Sequence, residues 1–443
     1  MKKVLVYGLG VSGISAVKTL SEMGYETYTY DKNKMYLDEL KGYNYSPISD
    51  LDIGKEDFDF VVKSPGIKPN DEILMKLSNR SEILSDIELA YRIFPKREFL
   101  AITGTNGKTS TTSMVAHILN AAGKKASSVG NIGEGVLWKM YQEDAVFVEE
   151  LSSFQLYNTY EFHPHIAAIL NITPDHLDWH RDFDDYKTSK LNIAKNQNEN
   201  DYLILNANDK ILQSYKKEAK AKVYEFSANS QVDLGMYLLG KDIIFKDGKD
   251  EQKIINVDQL KVIGNHNYEN IMAAMLITYL YGLSFEKILI GAKTYQSIEH
   301  RLEFVDKIND VEIYNDSKAT NVDSAIKAIE SFSKPIIIIA GGYDKKIDYS
   351  DYVKAFKKNG KLMIIMGETK DQLEKLCIEN KVDYLLTDDM QMAVKLSFDN
   401  AKSGDVILLS PASASWDMYK SYEVRGRDFK DKIKKYKGLS KWE

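Results

Sequence analysis

The residues with the most definite chemical capacity lie together at 104–110, Gly104-Thr105-Asn106-Gly107-Lys108-Thr109-Ser110. Glycines that let backbone N–H groups approach an anion, a lysine at the start of a helix and a hydroxyl beside it make a phosphate loop. The N–H groups and Lys108 hold phosphate oxygens, and Thr109 can reach Mg²⁺. The loop is shorter than the general Walker form. A second loop, Gly8-Leu9-Gly10-Val11-Ser12-Gly13, is a full G-x-G-x-x-G with Asp31 about 23 residues beyond Gly8. Read alone, it predicts either a nicotinamide dehydrogenase or a tight turn with no ligand. A dehydrogenase has no need of the other loop, so nucleotide binding follows while the nucleotide at Gly8–Gly13 stays open.

Phosphoryl transfer needs metal ligands and neutralising cations as well as a loop. Downstream lie Glu149-Glu150-Leu-Ser-Ser-Phe-Gln155, then Asn171-Ile-Thr-Pro-Asp175-His176-Leu-Asp178, then Lys190 in Tyr186–Ile193. Singly, a Glu at a strand end, a lone His and a helix Lys are usually solvated or structural. Following a phosphate loop together, they become candidates for a metal-assisted site.

Elements must place these groups. Short apolar runs alternate with helix-period segments, which predicts the α/β class with mainly parallel sheets. Expected strands are Lys3–Tyr7, Glu26–Tyr30 and Phe58–Val62 in the first region, and Phe99–Ile102, Ala145–Val148, Ile166–Leu170 and Tyr202–Leu205 in the second. A hairpin is expected around Asp247-Gly248 and an apolar helix over Tyr268–Leu280. The third region shows Val311–Tyr314, Pro335–Ala340, Leu362–Met366, Tyr384–Leu386 and Val406–Leu409, an open parallel sheet. Three domains are expected, 1–94, 95–299 and 300–443: a Rossmann-like N-terminal domain, a central P-loop ATPase-like domain and a C-terminal Rossmann-like domain.

Composition sets the outer bounds. With 59 Lys and Arg against 65 Asp and Glu, a net charge of -6, the chain lacks the basic surface that coats nucleic acid or anionic lipid. One cysteine, Cys377, leaves no intrachain disulfide framework or cysteine-rich zinc site. Lys2 and Lys3 before an apolar stretch imitate a signal peptide, but Gly8, Gly10 and Gly13 interrupt it. A cytoplasmic, monomeric protein with no nucleic-acid partner and no membrane insertion is expected.

The motifs in sequence order resemble those of the Mur ligases, the ATP-dependent amide ligases of peptidoglycan precursor synthesis. They are the 104–109 loop, Gly130-Asn-Ile-Gly133, Glu150–Leu156, Asn171–Asp178, Gly264-Asn-His-Asn-Tyr-Glu-Asn270 and Glu299-His-Arg301. Asn315-Asp-Ser-Lys-Ala-Thr-Asn321 and Leu409-Ser-Pro-Ala-Ser-Ala-Ser-Trp-Asp417 look like the C-terminal motifs of the branch that adds D-glutamate. The resemblance implies that ATP activates UDP-N-acetylmuramoyl-L-alanine as an acyl phosphate, which D-glutamate then attacks.

It also implies roles by position. The Gly8–Gly13 loop, with Gly10, Val11 and Ser12, together with Asp31 and with Ser64 and Gly66 of the Ser64-Pro-Gly-Ile67 turn, would receive UDP; Asn131 would meet the substrate near its reacting end. Gly104, Thr105, Asn106, Gly107, Lys108, Thr109 and Ser110 would hold ATP phosphates, with Thr109 on one Mg²⁺ and Glu150 and His176 on a second. Asn265, beside His266 and Asn267, would border adenine, and Arg301 would contact the transferred phosphate. Lys190 would carry a CO₂-derived carbamate, an oxygen ligand that suits Mg²⁺ where an ammonium would repel it. Lys318, Thr320, Lys345, Ser415 and Tyr422 would receive D-glutamate; Lys346 competes with Lys345 for the acceptor carboxylate, and Ser413 stands where a cysteine is common.

Overall fold

The computed structural model describes residues 2–32, 38–50, 52–53, 55–131 and 134–439. Ile132 and Gly133 of the Gly130–Gly133 motif lie outside them. The chain forms two compact units, one of residues 1–260 with 267–295 and one of 261–266 with 296–443. Three sheets carry the α/β architecture.

The first sheet is wholly parallel, with Lys3–Tyr7 at its centre between Glu26–Tyr30 and Phe60–Lys63, and with Ser46–Pro47 and Glu82–Leu84 at its edges. Strand order reverses beside Lys3–Tyr7, so a crevice opens at its C-terminal end, the usual ligand position of open α/β sheets. The Gly8 loop starts there and leads into the helix Val11–Glu22, with Gly10 at its N-cap.

The second sheet has nine strands. Phe99–Thr103 lies between Ile166–Ile169 and Val146–Glu150, all parallel. Two expectations need correction here. The strand before the acidic pair does not stop at Val148: Glu149 and Glu150 are inside it, paired on one side with Ala101 and Ile102 and on the other with Val129 and Gly130. The hairpin at Asp247-Gly248 is two strands of a three-strand meander, Leu234–Leu239, Asp242–Asp247 and Asp250–Asn256, because Gly240, at φ 62, supplies a second tight turn. Strands Ala126–Gly130, Tyr202–Asn206 and Lys222–Ser227 complete the sheet. One apolar core, including Val6, Ile87, Ala101, Leu137 and Phe147, runs from the first sheet to the second.

The C-terminal sheet is parallel except at one edge. Glu303–Ile308 pairs antiparallel with Val311–Asn315 through Asn309-Asp310, both at positive φ (51 and 63), the turn that matches strand twist in a two-residue hairpin. Ile336–Ala340 is buried on both faces: Ile336 and Ile338 join one core, Ile337 and Ile339 the other. No described helix is long and apolar enough to cross a membrane.

Candidate active site

The phosphate loop joins the buried strand Phe99–Thr103 to the helix Lys108–Ala121. Gly107 caps that helix at φ 86, and an added Cβ would lie 2.4 Å from Asn270 Oδ1, so a side chain is excluded by conformation and by space. No side chain caps the helix, which leaves first-turn N–H groups for an anion. Asn171 straps the loop: its carbonyl accepts from Thr105 N at 2.9 Å, its Oδ1 from Asn106 N at 2.8 Å, and its Nδ2 donates to Asn106 O at 3.1 Å. The Thr105 hydroxyl lies 2.9 Å from Tyr186 OH, on the helix Phe183–Leu191 that carries Lys190. Ser110 is buried beneath the loop, and Thr109 is half-buried in the first turn.

Two lysines meet this loop. Lys108 Nζ donates to Gly104 O at 2.7 Å and Thr105 O at 2.9 Å. Lys190 Nζ donates to the same Gly104 carbonyl at 2.8 Å, although Lys190 is only 2% exposed. Burial, and then the charge of Lys108, push the Lys190 amine well below the usual lysine range, while Asp175 and Glu150 pull the other way. Lys108, Lys190, Glu150 and Asp175 therefore share one electrostatic site.

Glu150 closes it from the neighbouring strand. Its Oε1 accepts from Asn131 Nδ2 at 2.9 Å, while its Oε2 is buried with no hydrogen-bond partner. A buried acceptor left open on an acid is a fitting place for a cation. Gly130, at φ 100, is obligatory here: an added Cβ would lie 2.4 Å from the Glu150 carbonyl. His176 sits at φ 51 on the loop after Ile166–Ile169, half-exposed, with its ring on Phe154 (centroids 4.9 Å) and Nε2 3.5 Å from Asp175 Oδ2. No hydrogen bond or ion pair joins His176 to Glu150 among the described residues. Sequence reasoning missed His180, buried between Asp185 (Nδ1 to Oδ2, 3.0 Å) and Ser153 (Nε2 to Oγ, 2.9 Å), which fixes the far end of the same loop.

The other glycine loop lines a cavity of about 410 Å³ together with Asp31, Ser64, Gly66 and Asn131. Gly10, Val11 and Ser12 form its rim. Asp31 accepts a hydrogen bond from Leu9 N, and the Ser64 hydroxyl donates to Gly8 O at 2.7 Å. Ser12 Oγ donates to Asp86 Oδ2 at 2.7 Å, and Gln155 Nε2 reaches the same carboxylate at 3.2 Å. Burial pushes the Asp86 carboxyl up. The residues assigned to the uridine nucleotide thus face one space with Asn131, which also touches Glu150.

In the C-terminal unit, Lys318 Nζ lies over the Tyr422 ring (5.6 Å), and Lys345 Nζ lies 3.4 Å from Thr320 O and over the Trp416 ring (5.4 Å). Lys346 is engaged elsewhere, with Asp344 Oδ2 at 2.6 Å. The Ser415 hydroxyl is buried without a partner, and the Ser413 hydroxyl meets Tyr349 OH at 2.7 Å. Arg425 draws the two motifs together, donating to Ser317 O at 2.8 Å and Ser413 O at 3.0 Å. Arg301 has a buried, unpartnered Nε, and its charge acts on Asp316, Tyr422 and His266. Asn265 is exposed at the start of the helix Asn265–Leu280.

Residues 102–278 match the Mur ligase middle domain, and residues 300–413 match the Mur ligase glutamate ligase domain. The chain is a Mur ligase. Across its whole length this Mur ligase is 43% identical to the UDP-N-acetylmuramoylalanine--D-glutamate ligase of Clostridioides difficile, covering 98% of the chain and 99% of the relative. It is 41% identical to the ligase of the same name from Thermoanaerobacter sp. strain X514, covering 98% of each. Its fold is similar to that of the UDP-N-acetylmuramate-alanine ligase of Thermotoga maritima (TM-score 0.60, 18% identity, 99% of this chain and 100% of the other). A pseudomurein peptide ligase type C from Methanothermus fervidus is equally near (TM-score 0.60, 20% identity, 98% and 100%).

Proposed function

We propose that this Mur ligase joins D-glutamate to UDP-N-acetylmuramoyl-L-alanine in peptidoglycan precursor synthesis, working as a cytoplasmic monomer of three domains, 1–94, 95–299 and 300–443. Full-length likeness to ligases of that name supports the choice of reaction and acceptor. The observation that carries the chemistry is the meeting of Lys108, Lys190 and Glu150 at the phosphate loop.

The γ-phosphoryl of ATP passes to the alanyl carboxylate, giving an acyl phosphate and ADP. The neutral amine of D-glutamate attacks the acyl carbon, phosphate leaves with the electron pair of its C–O bond, and the amine loses a proton. Lys108 and the first-turn N–H groups offset charge on the phosphoryl oxygens, and Asn171 holds the loop that presents them. Thr109, Glu150 and His176 hold Mg²⁺, two ions in all, which neutralises phosphate charge when bound. Arg301 meets the transferred phosphate, and Asn265 borders the adenine. Lys318, Thr320, Lys345, Ser415 and Tyr422 receive D-glutamate, with Lys345 favoured over Lys346 because Asp344 already neutralises the latter.

Lys190 is carbamylated in the working enzyme. Only a neutral amine adds to CO₂, forming the N–C bond and releasing a proton, and burial beside the charge of Lys108 shifts Lys190 towards that form. The product replaces repulsion from Lys108 by attraction and gives Mg²⁺ an oxygen ligand. The overall reading is tested by phosphate release with ATP, Mg²⁺ and UDP-N-acetylmuramoyl-L-alanine. D-Glutamate must stimulate it, whereas L-glutamate, L-lysine or no acceptor must not; equal release in all four arms excludes the function.

A further inference from the structure

Lys63 and Lys190 are the two buried lysines among the described residues. Lys190 belongs to the phosphate site, whereas Lys63 is 1% exposed at the end of the strand Phe60–Lys63, beside Tyr7. Its ammonium has no carboxylate within ion-pair distance among the described residues. Nζ donates to Ile67 O at 2.9 Å, lies 3.5 Å from Ser64 O, and sits 5.1 Å from the centre of the Trp179 ring. Asp86 is the charged group that acts on it from the adjoining helix; the turn and the Trp179 loop face it with carbonyls and a ring.

A buried ammonium with no paired anion is costly, and a methionine of similar length would fill the space without that cost. What Lys63 touches gives the charge a use. Ser64 and Ile67 line the 410 Å³ cavity, and so do Ser12 and Gln155, which hold Asp86. On its other side Trp179 donates its backbone N–H to His176 O at 3.0 Å, and its ring packs on Phe154 (4.5 Å), the ring that also supports His176. Lys68 stitches the same pair of segments, donating to Asp178 O at 2.7 Å. A cation set just behind the wall of a cavity also raises its affinity for an anion.

We propose that Lys63 is a positioning residue for the nucleoside-diphosphate substrate: its buried ammonium holds the Ser64–Ile67 wall of the cavity against Trp179 and so couples nucleotide binding to the loop that carries His176. This rests on the assignment of that cavity to the uridine nucleotide. Burial pushes the Lys63 amine down to about 8, so an anion in the cavity, by favouring the charged form, would tighten the same contacts.

Lys63→Met and Trp179→Leu test it, separately and together. Lys63→Met should raise KM for UDP-N-acetylmuramoyl-L-alanine about tenfold and lower kcat, leaving KM for ATP and D-glutamate within about twofold. Trp179→Leu should do the same more weakly, and the double variant should be no worse than Lys63→Met alone, because one contact is removed twice. Unchanged KM for the uridine substrate in Lys63→Met overturns the proposal. A parallel rise of all three KM values with a fall in melting midpoint also overturns it, since that marks general damage. If Lys63→Met does not fold, Trp179→Leu carries the test on the same terms. Calorimetry with UDP alone separates this from the reaction assignment. Wild-type protein that binds UDP but forms no amide defeats the reaction, and Lys63→Met binding UDP as tightly as wild type defeats the role of Lys63.

Discussion

The two glycine loops use the same backbone device and end in different chemistry. Each follows a buried strand that lies between two parallel neighbours and opens a helix with no side-chain cap. At Gly8–Gly13 the converging side chains are Asp31, Ser64 and Asp86 with its partners; no lysine lies in the loop, and the nearest buried one, Lys63, reaches only carbonyls and a ring. At Gly104–Lys108, two lysines share the Gly104 carbonyl and a buried carboxylate stands open beside them. A glycine fingerprint therefore fixes where a phosphate can approach, whereas the side chains around it decide whether the phosphate is held or transferred.

That contrast can be broken first at its strongest point. Lys190→Ala should lower turnover by a factor on the order of a hundred or more, and bicarbonate or a short-chain carboxylic acid should restore part of it by supplying the missing oxygens. Full activity in the mutant would remove the carbamate. Next, Asn171→Ala frees the phosphate loop from its strap; ATP KM should rise roughly tenfold in initial-rate assays with the uridine substrate KM little changed. On the other loop, Ser64→Ala removes one neutral hydrogen bond to Gly8 and should raise only the uridine substrate KM, by about threefold to tenfold. A reversed pattern, with Ser64→Ala acting on ATP, would dissolve the division of labour.

The smallest effect is on stability. Burial, with the charges of Lys327 and Arg301, pushes His266 down from 6.5 to about 4. The unfolded chain therefore binds a proton between these values that the folded chain refuses, so stability present above pH 6.5 is lost as pH falls towards about 4. In thermal melts, His266→Phe should flatten that slope by several degrees relative to wild type while leaving the melting point at neutral pH near its original value.

How far the sequence reaches follows from how local each feature is. Lys108, Glu150, His176 and Lys190 stand out because each lies in a short motif at the end of a strand or on the next helix, and the first two and Lys190 do converge. Lys63 and Asp86 do not stand out, because a single charged residue in an apolar strand or at a helix start reads as solvated; only the packing of one sheet on the next buries them. His180 gains its meaning from Ser153, 27 residues away. The strand Ala126–Gly130 is small and polar, without the β-branched run that marks a strand, and owes its form to pairing with Val146–Glu150. The antiparallel hairpin at Asn309-Asp310 is not among the expected elements of the third region, although an Asn-Asp pair favours the positive φ values found there.

Delivery of a phosphoryl group from the Gly104 loop to the alanyl carboxylate, on a substrate whose uridine nucleotide lies at the Gly8 loop, is the step proposed. Its most direct test uses UDP-N-acetylmuramoyl-L-alanine with both alanyl carboxylate oxygens labelled as ¹⁸O, turned over once with ATP, Mg²⁺ and D-glutamate. Mass analysis should find one label in the released phosphate and one in the new amide carbonyl. Unlabelled phosphate, with amide formed, would contradict an acyl phosphate and with it the account of how the two loops cooperate.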